Sequence, residues 1–220
     1  KARLFLVACD VTDDDVRDAK AFFSRRNIPV EIVLPGFLDR MLRPLEHTRW
    51  PRAAYLRLYF DWIFDSSWSR ILYLDSDTRV CTSLNPLLGA DLHGNPIGAA
   101  HDFVYYISGN IHRRRRDLGL GAGGTYFQSG VMLLDWRMIL EGDGLGRTRR
   151  FLQDHLEACY EAPDQDALNG TFKNRWTPLD PRWNLHGTYL KFGRRYLPWI
   201  AHFASTKPWS RARTLAWRKA

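Results

Sequence analysis

Two carboxylates stand one residue apart at the end of an apolar run, Ile71-Leu-Tyr-Leu-Asp75-Ser-Asp77. Side chains two apart on an extended segment point to the same side. A strand that ends in Asp-x-Asp therefore delivers both acids to one place. Two carboxylates that close repel each other, and one pKa rises unless a cation sits between them. Hard oxygen ligands suit Mg²⁺ or Mn²⁺, ions that keep open positions for substrate phosphates. The pair thus points to a divalent metal and a phosphate-bearing substrate. The alternative is a simple turn, since Asp and Ser are ordinary turn formers.

The elements that must position these acids follow from the pattern along the chain. Residues 3–9 read as a buried strand. Thr12 with Asp15 three residues later is a capping signal. Val16, Ala19, Phe22 and Phe23 then recur at helical spacing, and residues 28–34 read as a second strand that Pro35-Gly36 breaks. Strand, helix and strand in that order predict a parallel sheet. Pro51 opens a further helix with Ala54, Leu58 and Ile63 on its apolar face. Residues 71–75 and 98–102 read as strands ending in acids, and residues 127–135 as another. Residues 105–124, basic and then rich in Gly, read as a flexible loop or a lid over a site. Residues 148–161 predict an amphipathic helix. Pro163 precedes a short acidic helix start at 164–169, and residues 199–204 form a last strand. No repeat and no interdomain linker is evident. The prediction is one α/β domain with a largely parallel sheet, whose ligands bind at the carboxyl ends of strands. Asp75, Asp77, Asp102 and His202 all fall at or near such ends.

Composition narrows the class. The 220 residues suffice for one domain with a well-buried core. The formal net charge of +8 favours anionic partners. The cations cluster at Arg113–Arg116, at Arg147, Arg149 and Arg150, and at Arg211, Arg213, Arg218 and Lys219. Each cluster reads first as a solvated face. With Trp209 and Trp217, the tail is compatible with peripheral attachment to an anionic membrane. No nucleic-acid-binding motif accompanies the charge. Cys9, Cys81 and Cys159 are too widely spaced for a disulfide framework or a thiolate zinc site, which fits a reducing compartment. No apolar run reaches the ~20 residues of a spanning helix, and no signal peptide is evident. The chain opens directly inside an apolar strand, which suggests a fragment of a longer protein.

Five blocks, in order, resemble glycosyltransferase family 8, the retaining sugar transferases that include glycogenin and the bacterial lipopolysaccharide galactosyl- and glucosyltransferases. They are Tyr55-Leu-Arg57-Leu; Ile71-Leu-Tyr-Leu-Asp75-Ser-Asp77; Phe127-Gln128-Ser-Gly130-Val-Met-Leu-Leu-Asp135; Pro163-Asp164-Gln165-Asp166-Ala-Leu-Asn169; and His202-Phe-Ala-Ser-Thr-Lys207-Pro208-Trp209. The resemblance implies a GT-A-type, Rossmann-like, mostly parallel sheet flanked by helices, a UDP-sugar donor, and Mn²⁺ with Mg²⁺ as the alternative. It implies that Asp75, Asp77 and His202 are metal ligands and that Lys207 binds the donor diphosphate. Arg57, Ser76, Asp102, Gln128, Ser129 and Ser205 join the donor-binding set, and Asp164 and Gln165 contact the transferred sugar as catalytic candidates. A nitrogen ligand among oxygens suits Mn²⁺ better than Ca²⁺.

The resemblance places a single domain at 1–209, truncated at its N-terminus and lacking the first strand, with a basic, Trp-bearing tail at 210–220. Gln128 replaces the usual Asn, and Ser205 stands where a Gly is common. The expected activity is metal-dependent transfer of glucose or galactose, with retention, to a glycan or lipopolysaccharide-type acceptor. The expected site of action is the cytoplasm or the inner face of the membrane. Same-face attack by the acceptor hydroxyl is favoured, because Asp75 and Asp77 are committed to metal and Gln165 is a poor nucleophile. Two other readings compete. One is a non-catalytic nucleotide-sugar-binding protein. The other is a haloacid-dehalogenase-type phosphatase, which would place Thr where Arg79 stands.

Overall fold

The computed structural model describes residues 2–42, 50–186, 197–204 and Lys207. The chain divides into two compact units, Lys1–Asp65 and Ser66–Ala220.

The first unit opens with the predicted strand–helix–strand. Strand β1 (Phe5–Val7) leads to α1 (Asp13–Ser24) and β2 (Glu31–Val33). The two strands pair in parallel, Phe5 opposite Glu31 and Val7 opposite Val33. The capping box closes as the spacing requires. Thr12 Oγ1 accepts the Asp15 N–H at 3.2 Å, and the Asp15 carboxylate accepts the Thr12 N–H at 2.8 Å. Asp13, Asp14 and Asp15 sit in the first turn, where the helix dipole favours negative charge. Helices α2 (Asp39–Leu42) and α3 (Arg52–Tyr55) follow. The single helix expected after Pro51 is instead this short α turn running into a 3-10 stretch, Leu56–Trp62, with a non-helical residue at Tyr59. Tyr55, Leu56, Leu58 and Phe60 are all buried. Such near-consecutive burial leaves no single α-helical stripe, so packing overrides the 3.6-residue period.

The second unit contains β3 (Arg70–Leu74), β4 (Thr78–Val80), α4 (Asn85–Leu88), β5 (Ile97–His101), α5 (Phe103–Ile107), α6 (Ile111–Asp117), β6 (Phe127–Asp135), α7 (Trp136–Glu141), α8 (Gly144–Asp154), α9 (Pro163–Thr171), β7 (Trp176–Pro178), β8 (Leu185–His186) and β9 (Ile200–His202). One sheet has the order β3-β6-β5-β7 and another β4-β9-β8. The α/β class holds, but the pairing is mixed rather than largely parallel. Strand β6 runs antiparallel to both β3 and β5, and β4 runs antiparallel to β9, while β5·β7 and β8·β9 are parallel. The reason is visible in β6: Phe127 and the run from Ser129 to Leu134 are buried. A central strand covered on both faces reads as a continuous apolar run whichever way its neighbours point.

Val131 of β6 packs with Leu87, Trp183 and Ile200 into a core that backs the site, with Leu72, Leu74 and Trp199 against it. Each such burial is worth roughly 1.5–3 kcal/mol.

The segment expected as a flexible loop or lid also differs. It carries α5 and α6, and Arg114 of the basic run is fully buried. Arg114 donates to Asp166 at 3.0 Å and to the Ala158 carbonyl at 3.1 Å. A guanidinium sealed from water and bridged to a buried carboxylate anchors α6 instead of letting it swing. The amphipathic helix expected at 148–161 is α8, which starts and ends earlier.

Candidate active site

Strand β3 ends at Leu74, and the next residue is tied down at once. The Asp75 N–H donates to the Gly130 carbonyl at 2.8 Å, and the Tyr73 hydroxyl donates to Asp75 Oδ1 at 2.6 Å. The Thr78 N–H and hydroxyl both donate to the Asp75 carbonyl, at 3.1 and 2.7 Å. That turn carries the chain into β4, with Ser76 exposed at its tip and Asp77 half-buried beyond. Strand β4 pairs with β9 so that Thr78 lies opposite His202, and the Phe203 N–H donates to the Asp77 carbonyl at 2.9 Å. This register brings a histidine from the far end of the chain to the two acids.

One ligand atom each from Asp75, Asp77 and His202 can be chosen so that all lie within 4.8 Å of one another. His202 Nε2 is 3.2 Å from Asp77 Oδ1 and 3.5 Å from Asp75 Oδ2. It is nevertheless a buried nitrogen without an aligned hydrogen-bond partner. Its other nitrogen, Nδ1, is 2.8 Å from Asn184 Oδ1. A buried, unpartnered ring nitrogen facing two carboxylates is the donor set a hard divalent cation takes.

Gly130 makes the approach possible. A Cβ there would collide with His202 Cε1, and would lie 2.6 Å from Asp75 Oδ2 and 2.8 Å from His202 Nδ1. Lys207 forms an ion pair with Asp77 at the same edge. Burial pushes the Asp77 carboxyl up, but the adjoining His202 ring and the Lys207 ammonium outweigh it and hold it well below the usual carboxylate range.

Strand β6 joins this cluster to a second one. Gly130 backs His202, while the Ser129 N–H donates to Gln165 Oε1 at 2.9 Å. Gln165 Nε2 donates to Asp102 Oδ2 at 2.9 Å and to the Tyr126 hydroxyl oxygen at 3.1 Å. The Tyr126 hydroxyl donates onward to Asp166 Oδ1 at 2.7 Å. Gln165 thus hangs from a buried chain that runs through Tyr126 and Asp166 to Arg114. Burial raises the Tyr126 pKa, with Asp166 adding to it, so the phenol keeps its proton. Asp102 caps α5 by accepting the Val104 N–H at 3.2 Å, and burial raises its pKa more than Gln165 lowers it. Asp164 is buried in the first turn of α9, whose N-cap is Ala162.

The structure thus gathers Asp75, Asp77, His202 and Lys207 in one cluster, and Asp102, Ser129 and Gln165 in the other. Gln128 Oε1 accepts from both the Gly130 N–H and Asn184 Nδ2, each at 2.6 Å. Arg57 belongs to the first unit, where its buried side chain donates from Nε to the Ala54 carbonyl at 3.1 Å. Ser205 and the basic tail lie outside the described residues. Sequence reasoning did not single out Gly130, Asn184 or Tyr126 as site residues. A glycine inside an apolar strand is itself a signal of close approach. No comparable signal marks Asn184.

Comparison with known proteins identifies the family and the fold. The model of the family described as glycosyl transferase family 8 matches residues 3–213. General stress protein A of Bacillus subtilis is 25% identical over 96% of this chain and 77% of its own length. A probable glycosyl transferase Gly of Streptococcus gordonii is 30% identical over 63% of this chain but only 19% of its own length. Among solved structures, the galactosyltransferase LgtC, in complex with donor and acceptor sugar analogues, superposes with a TM-score of 0.76 at 24% identity. That match covers 96% of this chain and 80% of LgtC. The bifunctional glycosyltransferase WbbM superposes with a TM-score of 0.74 at 22% identity, over 94% of this chain and 41% of its own. With a family match running through all five sequence blocks and a shared GT-A fold, the chain belongs to glycosyl transferase family 8.

Proposed function

We propose that this glycosyltransferase moves a hexose, glucose or galactose, from a UDP-sugar to a hydroxyl of a glycan or lipopolysaccharide-type acceptor, with retention and in dependence on Mn²⁺, with Mg²⁺ as the alternative. The observation that carries the reading is the convergence of Asp75, Asp77 and the unpartnered His202 Nε2 at one sheet edge. Bound there, the ion would supply Lewis acidity for the diphosphate leaving group and relieve the carboxylate repulsion. Lys207, already beside Asp77, would add a point charge against the negative charge that builds on UDP. The LgtC complex with donor and acceptor analogues supports a sugar donor and a sugar acceptor on this fold.

The second cluster has the properties of a sugar subsite. Asp102 offers acceptor lone pairs to sugar hydroxyls, both N–H groups of Gln165 are engaged by Asp102 and Tyr126, and both residues are held by partners that are themselves buried. Holding them ahead of binding removes an ordering cost from the reaction. Asp164, buried at the start of the same helix, joins them as the second catalytic candidate. For stereochemistry we favour same-face attack, with the departing phosphate taking the acceptor proton. A covalent sugar trapped on Asp164 in a slowed variant would contradict that.

No helix among the described residues is long and apolar enough to cross a membrane. Attachment to an anionic membrane face through the basic tail belongs to the same proposal.

The test is UDP release from UDP-glucose and UDP-galactose, with and without Mn²⁺, using Asp77→Asn as control. Metal-dependent release with one donor, lost in the variant, is expected. Full activity in Asp77→Asn would refute the ligand assignment.

A further inference from the structure

The half-buried Gln128 and the buried Asn184 are spent on each other, and their orientation can be worked out atom by atom. The Gly130 backbone N–H can only donate, so the Gln128 atom 2.6 Å away must be its carbonyl oxygen. That oxygen has a second lone pair, and the Asn184 atom 2.6 Å from it must therefore be the NH₂. The Asn184 carbonyl oxygen is left facing His202 Nδ1 at 2.8 Å. An acceptor there requires a proton on Nδ1. The neutral imidazole then carries its lone pair on Nε2, the nitrogen that faces Asp75 and Asp77. A backbone amide in β6 thus sets the tautomer of a side chain in β9 through two carboxamides: flipping Gln128 would lose both its bonds, and flipping Asn184 would set its carbonyl oxygen against that of Gln128.

We infer that Gln128 and Asn184 are positioning residues that hold His202 as a ready cation ligand. The inference rests on the reading of Asp75, Asp77 and His202 as a cation site, and it assigns Gln128 a role other than the donor contact suggested by the family resemblance. Outer partners of this kind fix ring orientation and ligand basicity, and losing one typically lowers metal affinity about 10–100-fold.

The experiment is Mn²⁺ titration of the full chain without nucleotide, followed by electron paramagnetic resonance, with thermal unfolding of each metal-free variant alongside. Asn184→Leu should lower Mn²⁺ affinity by about 10–100-fold. Gln128→Met, which frees the Asn184 amide to turn, should lower it in the same direction but less. Gln128→Glu keeps an oxygen to accept both bonds and should retain wild-type affinity. Should Asn184→Leu fail to fold, the Gln128 pair still decides the matter. Equal Mn²⁺ affinity in Gln128→Met and Gln128→Glu, or an unchanged affinity in a folded Asn184→Leu, would overturn the inference. An effect of Gln128→Met on UDP-sugar affinity alone would restore the donor-contact role. Absence of Mn²⁺ binding in the wild type, or equal binding in Asp77→Asn, would instead remove the cation reading, and this inference with it.

Discussion

Replacing Gly130 by Ala inserts one methyl group into the space between His202 and Asp75. The added carbon would lie 2.8 Å from His202 Nδ1 and 2.6 Å from Asp75 Oδ2, and nearer still to His202 Cε1. Ordinary contact is about 3.5–4.0 Å, so ring and carboxylate must each retreat by roughly 1 Å. Metal sites tolerate about ±0.2 Å in ligand distance, several times less than that shift. The expected loss of Mn²⁺ affinity is at least about tenfold, or ~1.4 kcal/mol, and reaches the range seen when outer-shell support is removed. Overpacking should cost about 1–3 kcal/mol of stability as well. No left-handed backbone penalty applies, because Gly130 lies in a strand without positive φ. The assay is Mn²⁺ titration with thermal unfolding as the check on folding. Gly123→Ala is the control, since an added Cβ there meets nothing within 4 Å. A Gly130→Ala protein that binds Mn²⁺ as tightly as wild type would refute the argument that this glycine makes room for the ligands.

Other perturbations report on neighbouring parts of the same machinery. Tyr126→Phe removes the hydroxyl between Asp166 and Gln165, and should cost about 1–3 kcal/mol in unfolding free energy because a buried acceptor loses its donor. UDP release should slow with it, and a wild-type rate would show that the orientation of Gln165 is not set through Tyr126. His186 is pushed down to about 4, chiefly by burial. The unfolded chain then binds more protons between pH ~6.5 and ~4. Relative to His186→Gln, wild-type stability should fall through that window by on the order of 3 kcal/mol and level off below it; a flat difference between the two denaturation curves would contradict the burial account. Cys81 is exposed, whereas Cys159 is buried with its thiol pushed up to about 12, chiefly by burial. Alkylation of the native protein should therefore label Cys81 and spare Cys159 until unfolding. Rapid native labelling of Cys159 would show that the region around Asp166 opens.

What could be read without coordinates was local in its physics. Thr12 and Asp15 announce a helix start because a capping box needs only residues three apart. Pro163 before an acidic turn announces α9, and the apolar run ending at Asp75 and Asp77 sets two acids side by side by backbone geometry alone. The five blocks gave the family and the identities of the candidate ligands.

Direction and partnership were settled elsewhere. Strand β6 is covered on both faces, so its residues do not record that it runs against β3 and β5. Arg114 looks like the other three arginines of its basic run, until Asp166, more than fifty positions away, draws it into the interior. Asn184 has no local signature at all, because its task exists only once β4, β9 and β6 stand together. Spacing along a chain constrains what a few neighbouring residues can do. The register of β4 against β9, which carries His202 to the acids, depends on contacts between distant segments, and only the folded chain fixes those.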